Sequence, residues 1–306
     1  MKKKLLLLTF SCLAFSNPIF SNTDTSKYVI GCRGWGLFAD FLWSINHLEY
    51  CLISNKTPVM HWGKSPYNEK GGYNGGNDAW SYYFEPVSNL TYSPGDVIHY
   101  ERFPRGKENF TAIYDVYRDI VENPSYPSKE LRQQTKEIMD RYVKLKPSVA
   151  LIIESFYQKK MAGKHTIGIH LRGQHAFNEF KYPPLQEIFN EANKYATSKS
   201  QFFIATDQIN LLNEAIKSLK GTVIYYDCFR TDKGSTAPTP SGFLFPINYS
   251  KARLGEDVLV ETFLLSQCDV MIHTISNVPL VATYFNPELH GVRLYYENNS
   301  LKKYSY

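Results

Sequence analysis

Ile167-Gly168-Ile169-His170-Leu171-Arg172-Gly173 is a run of apolar residues that turns polar only where it ends. As a strand over about Thr166 to Leu171, it sends Ile167, Ile169 and Leu171 to one face and His170 and Arg172 to the other. Working outward, further strands are predicted at Phe202–Thr206, Thr222–Tyr226, Asp269–Thr274 and Val292–Tyr296, with helical periodicity between most of them. Alternation of this kind builds an α/β unit, a parallel sheet with helices on both faces. In such sheets a ligand binds beyond the carboxyl ends of the strands, where successive connections leave in opposite directions. The strand-ending residues to inspect are therefore Gly34 and Gly36, His170 and Arg172, Asp207, and Ser276 with Asn277.

Upstream, Tyr28–Gly31 reads as a strand. Leu37, Phe38, Phe41, Leu42, Ile45, Leu48 and Leu52 recur at helical spacing, and Pro58–Trp62 reads as a second strand, completing a β-α-β unit. Residues 63–77, rich in Gly, Asn and Tyr, have no helical period and are predicted to be a long loop. Helices are expected at about Ser128–Val143 and, started by Pro147, at about Ser148–Met161. The break between halves falls near residues 155–165, which gives an N-terminal unit over 22–160 and a C-terminal unit over 161–306. Thr236–Gly242 is long enough to serve as a mobile flap.

Residues 1–21 combine Lys2, Lys3 and Lys4 with an apolar run from Leu5 to Phe15 and a polar exit. This is the pattern of a secretory signal peptide, directing the chain to export or a secretory pathway. About 11 apolar residues fall short of the ~20 that a membrane span needs, so no stable span is expected. Of the 34 basic residues three lie in this segment, leaving 31 against 29 acidic, a net +2. That balance offers no general electrostatic case for nucleic acid. With 43% hydrophobic and 21% charged residues the chain is a folded globular protein, neither disordered nor multispan. The segment's removal leaves Cys32, Cys51, Cys228 and Cys268. Cys32 with Cys51 is the better disulfide candidate, and Cys268 reads as a small buried thiol. No C-x-x-C spacing points to zinc or redox chemistry.

Gly34-Trp35-Gly36-Leu37-Phe38-Ala39 follows a strand, opens a helix and matches G-x-G-x-x-A, so its amides could approach a phosphate. Glycines needed only for a tight turn explain it as well. A nicotinamide cofactor would also require an acid at the end of the second strand, which closes instead on His61-Trp62.

Gly168-Ile169-His170-Leu171-Arg172, then Phe203-Ile204-Ala205-Thr206-Asp207, then Glu261 through Asp269 with Thr274-Ile275-Ser276-Asn277, resemble three ordered motifs of one superfamily. It comprises the α1,6-fucosyltransferases, the nodulation fucosyltransferases and the protein O-fucosyltransferases. The likeness covers about residues 147–296, and the Gly34-x-Gly36 helix resembles the family's N-terminal start. It implies two Rossmann-like lobes of the GT-B type and an inverting, metal-free glycosyltransferase. GDP-fucose would be its donor substrate and a glycan or glycoconjugate its acceptor, with no cofactor. Carried over, Arg172 would hold the β-phosphate, His170 would lie at the nucleoside, Glu261 would face guanine where the α1,6 enzymes have Asp, and Ser276 and Asn277 would contact phosphate. The sequence departs from the pattern at Gly173, where a second Arg is common, and at Leu37, where Asn is common. No D-x-D occurs in the chain, in keeping with a metal-free site.

Such chemistry needs the acceptor hydroxyl deprotonated and the departing diphosphate stabilised. Arg172 is the natural stabiliser. Glu179, in the loop leaving the same strand, is the candidate base and His175 the alternative; a solvated loop acid is the plain reading of Glu179. Trp62, Tyr67, Tyr73, Trp80, Tyr82 and Tyr83 could stack on acceptor sugars or simply pack in the core. The rival functions are a non-catalytic nucleotide or glycan binder on the same fold and an NAD-dependent oxidoreductase using the Gly34 turn. An export signal also sits uneasily with a cytoplasmic nucleotide sugar, unless the chain works in a secretory lumen, where the sequons at Asn89, Asn109, Asn248 and Asn298 could carry glycans.

Overall fold

The β-α-β unit forms where the periodicity puts it: β1 (Lys27–Gly31), α1 (Leu37–Ile53) and β2 (Thr57–His61). The computed structural model describes residues 26–100, 127–172, 182–232, 236, 238–239, 242–243, 248–297 and 299–306. The signal-peptide reading of residues 1–21 lies outside them, as do Glu179 and His175. Phe38, Phe41, Ile45 and Leu48 recur along one side of α1 and are buried. Removing a side chain such as Phe41 from that stripe would cost about 3–5 kcal/mol. A short α2 (Ala79–Tyr83) and β3 (Ile98–His99) follow, and β2-β1-β3 make an all-parallel sheet.

Ser128 caps α3 (Lys129–Tyr142) by accepting from Leu131 N at 3.2 Å, and Pro147 opens α4 (Pro147–Phe156), which closes in a single π-turn, Tyr157–Met161. The second sheet then begins. It contains β4 (His165–Leu171), β5 (Ser200–Thr206) and β6 (Thr222–Tyr225), with α5 (Leu185–Lys194) and α6 (Ile209–Ser218) between them. A small hairpin, β7 (Pro238–Thr239) and β8 (Gly242–Phe243), precedes α7 (Lys251–Ser266), β9 (Val270–His273) and α8 (Asn277–Phe285). The chain ends in β10 (His290–Glu297) and β11 (Ser300–Ser305). The order is β11-β10-β9-β4-β5-β6, parallel except for the β10–β11 hairpin.

Ile167, Ile169 and Leu171 pack on the α5–α6 side of this sheet, the face the alternation assigned them. On the opposite face α7 lies against β4 and β5. There a Cβ on Gly168 would meet Cys268 Sγ at 2.8 Å, so the strand carries glycine where the helix comes closest. Helices α1, α3, α7 and α8 pack against one another between the two sheets, and one apolar cluster runs through them.

One expectation is corrected. Cys32 and Cys51 are free, buried thiols. Cys32 follows the end of β1 and Cys51 sits in the last turn of α1, which runs back along the strand. A rise of ~1.5 Å per residue over most of a 17-residue helix carries the two far beyond the ~7 Å limit for a bridge. Trp62, Trp80, Tyr82 and Tyr83 take the core reading, all nearly inaccessible, whereas Tyr67, though largely buried, also lines the cavity at the strand ends of the second sheet. Their polar atoms are satisfied inside: Trp62 Nε1 donates to Ser44 Oγ and Tyr83 Oη to the Ala252 carbonyl. Cys268 is buried as expected.

Candidate active site

From β4 the chain steps through α5 to β5 and on to β6, whereas β9 joins the other side of β4, so the connections diverge between β4 and β9. This is the crevice where a doubly wound sheet holds its ligand. Arg172 leaves β4 there, and Ser276 caps α8 just beyond β9. Arg172 Nη1 donates to Ser276 Oγ at 3.2 Å, closing the crevice across the switch point. Ser276 Oγ accepts also from Val278 N, and Asn277 is the first residue of α8 with its Oδ1 buried and lacking a hydrogen bond. Two strand ends far apart in sequence thus bring together the residues singled out for phosphate.

A cavity enclosing about 690 Å³, open solvent at its mouth included, opens over these strand ends. His170, Arg172, Asp207 and Glu261 line it, as the strand-end rule and the motifs anticipate, together with Tyr67 from the first sheet's long loop. Burial, then the nearby Arg172 and His273, lower the His170 imidazole to about 3, so it is neutral at pH 7. Its Nδ1 is buried and makes no hydrogen bond. A neutral imidazole with an unused nitrogen is ready for a ligand hydroxyl or N–H. Asp207 is fixed from the flap side, its Oδ2 accepting from Thr236 N at 3.1 Å.

Sequence reasoning missed Arg230 and Asp257. Arg230 Nη2 lies 2.8 Å from Glu261 Oε1, and both side chains are almost fully buried. Burial pushes the Glu261 carboxyl up to about 8, a rise that Arg230 opposes. Asp257, one turn earlier on α7, also lines the cavity; burial raises it to about 6 against the pull of Arg253, whose Nε donates to it at 3.0 Å. The i, i+4 spacing of Asp257 and Glu261 on one helix was the available signal.

The Gly34 turn serves a different end. Gly34 has φ +84°, the left-handed region that glycine adopts freely, and the amides of Arg33, Gly34 and Trp35 all donate to the Asp40 carboxylate at 3.0, 3.2 and 3.0 Å. The anion held by this turn is the chain's own. Neither Gly34 nor Gly36 lines the cavity; the turn reaches it through Leu37 N, which donates to Tyr67 Oη. In this structure the Gly34 amide is thus engaged within its own turn, as is the phosphate cradle that a nicotinamide reading requires.

NodZ alpha-1,6-fucosyltransferase co-crystallized with GDP superposes on the chain with a TM-score of 0.56 at 18% identity, covering 91% of this chain and 98% of that one. It has the GT-B fold. POFUT1 in complex with GDP superposes with a TM-score of 0.51 at 11% identity, over 89% of this chain and 99% of the other. In sequence, Nodulation protein Z of Bradyrhizobium diazoefficiens is 22% identical over 301 residues, 84% of this chain and 78% of that protein. No protein-family model matches the chain. The resemblance read from the three motifs is borne out, and the fold expected of it, two parallel sheets with helices packed between and around them, is the fold observed.

Proposed function

We propose that the chain transfers fucose from GDP-fucose to a hydroxyl of a glycan or glycoconjugate, by a single inverting displacement without a metal ion. The observation that carries this reading is the Arg172–Ser276 bond across the switch point. It sets a guanidinium and a helix N-terminus on the cavity that a diphosphate would enter. Support comes also from the GDP-bound fucosyltransferases that share the fold.

In this reading the diphosphate leaves the anomeric carbon as the acceptor oxygen attacks from the opposite face. Arg172 takes up the charge that develops on the departing oxygens, where a fixed cation in a sheltered site acts most strongly. Neutral His170 accepts from the nucleoside part, Glu261 reads the base, and Asn277 contacts the phosphate through its side-chain N–H. A general base removes the acceptor proton; Glu179 is our candidate and His175 the alternative, both outside the described residues. The metal-free reading rests on the lack of a D-x-D carboxylate pair in the sequence. Residues 22–160 would supply the acceptor side and 161–306 the donor side, with the leader segment routing the chain to export.

Incubation with GDP-fucose and a glycan panel, with and without EDTA, is the direct test. Fucosylated product of inverted anomeric configuration, unaffected by chelation, is the expected result. Loss of transfer on chelation, restored by manganese or magnesium, would overturn the metal-free step. Binding of GDP-fucose with neither transfer nor slow hydrolysis would make the chain a binder.

A further inference from the structure

The Arg230–Glu261 pair belongs to the donor reading above and deepens it. Arg230 lies on the segment after β6, with Nη2 donating to the Tyr226 carbonyl at 2.9 Å as well as to Glu261 Oε1, and Nη1 donating to the Cys228 carbonyl at 3.3 Å. The guanidinium is therefore anchored on backbone, and the carboxylate is anchored on the guanidinium. Cys228 Sγ is also 3.5 Å from Oε1. Both contacts fall on the same oxygen, which leaves Oε2 to a ligand in the cavity that Glu261 lines.

We infer that Arg230 is a positioning residue for base recognition: it holds Glu261 in one orientation through Oε1, so that Oε2 accepts from the ring N1–H and the 2-amino group of guanine. A carboxylate buried without a cation gives up its charge, and a protonated carboxyl presents a donor where guanine needs an acceptor. The charges facing Glu261 come from three elements. Arg230, with the Cys228 thiol, lies after β6; Asp257 lies on α7 itself; Asp207 lies at the end of β5. Both acids disfavour a second negative charge, and Arg230 opposes them. GDP binding should accordingly strengthen as pH rises toward and through about 8, while the guanine N1–H is still in place. Loss of Arg230 should move that rise to higher pH.

The test is calorimetric titration of the full chain with GDP, inosine diphosphate, which lacks the 2-amino group, and ADP, from pH 6 to 8.5. The wild type should prefer GDP over inosine diphosphate by about tenfold or more, the range for a hydrogen bond to a charged group. Arg230→Met should reduce this preference to within about threefold at pH 8.5 and displace the pH profile upward, and Glu261→Gln should flatten the profile. Arg230→Lys, which retains the charge and gives a second chance of a folded variant, should still lose part of the preference, because one ammonium cannot span two carbonyls and the carboxylate. Wild-type preference and profile in a folded Arg230 variant would overturn the inference, as would equal weakening of all three nucleotides at an unchanged profile. If the folded wild type binds no GDP, the donor reading falls and this inference with it; GDP binding by the wild type with unaltered variants sinks the inference alone.

Discussion

Replacing Arg172 by alanine removes the cation that ends β4 and leaves the rest of the crevice in place. In the free protein the loss includes the hydrogen bond to Ser276 Oγ at 3.2 Å from a half-buried side chain, a bond worth about 0.5–1.5 kcal/mol of stability. With a diphosphate bound the loss is larger, because the same fork would make charge-assisted bonds to phosphate oxygens, together ~1.5 to 3 kcal/mol, or roughly 10- to 150-fold in Kd. Ligand-dependent unfolding separates the two effects. GDP at 100 times the wild-type Kd should stabilise the wild type by about 2.7 kcal/mol. The same GDP concentration should stabilise a variant of 100-fold weaker affinity by only about 0.4 kcal/mol. The GDP-induced rise in Tm should thus nearly vanish in Arg172→Ala while the ligand-free Tm falls by a few degrees at most. Arg172→Lys should lie between, keeping the charge and losing the fork. A full GDP-induced shift in folded Arg172→Ala would remove this residue from the donor site and leave the switch-point bond a structural contact.

Glu179→Gln should lower fucose transfer by ~100-fold to 10,000-fold with GDP affinity nearly intact, and His175→Ala serves as its control; if only the histidine change abolishes turnover, the histidine is the base. Gly168→Ala should destabilise by about 1–3 kcal/mol in denaturant unfolding, because its Cβ would sit 2.8 Å from Cys268 Sγ and 3.0 Å from Leu265 Cδ2. Cys268→Ala in the same chain should return most of that loss, and an undiminished cost in the double variant would place the strain elsewhere. Asp40 titrates against folding. Burial raises its carboxyl from 3.8 to about 6, so the folded state holds the proton more tightly, and its contribution is lost as pH rises through 6. The unfolding free energy of Asp40→Asn relative to wild type should therefore climb by on the order of 3 kcal/mol between pH 4 and pH 7. A difference flat with pH would mean that the three amide bonds hold this carboxylate at its ordinary value.

The second sheet was legible because parallel strands covered on both faces read as unbroken apolar runs, and β4, β5, β9 and β10 are such runs to within a residue or two. The site was legible to the extent that the switch-point rule converts strand ends into candidates: His170, Arg172, Asp207 and Glu261 share one cavity. β11 escaped notice because Ser300–Ser305 is a mostly exposed edge strand whose polar sequence puts only Leu301 against the core and so shows no alternation. β3 escaped because two residues leave no period to detect. Arg230 belongs to no motif of its own. Its role exists only once β6 brings residues 226–230 against α7, a relation that strand and helix periodicities do not encode.

The two sheets present opposite charge at equivalent places, and on the proposed reading that difference would decide where a diphosphate goes. Each has a helix N-terminus beyond the carboxyl end of a strand, a site suited to an anion. At β1–α1 the place is filled: Asp40, 1% exposed, draws three amides onto its carboxylate, and it is largely ionised above about pH 6. A second anion there would meet a fixed negative charge in a poorly solvated turn. At β9–α8 the cap is a neutral serine, and the side chain bonded to it is an arginine. Tyr67 joins the two places, with its hydroxyl on Leu37 N and its ring on the cavity. On the proposed reading, a nucleotide sugar entering between the sheets would be pulled by its phosphates toward Arg172 and α8. Its sugar would then be left on the side of the first sheet, where on that reading an acceptor would approach the anomeric carbon opposite the departing diphosphate.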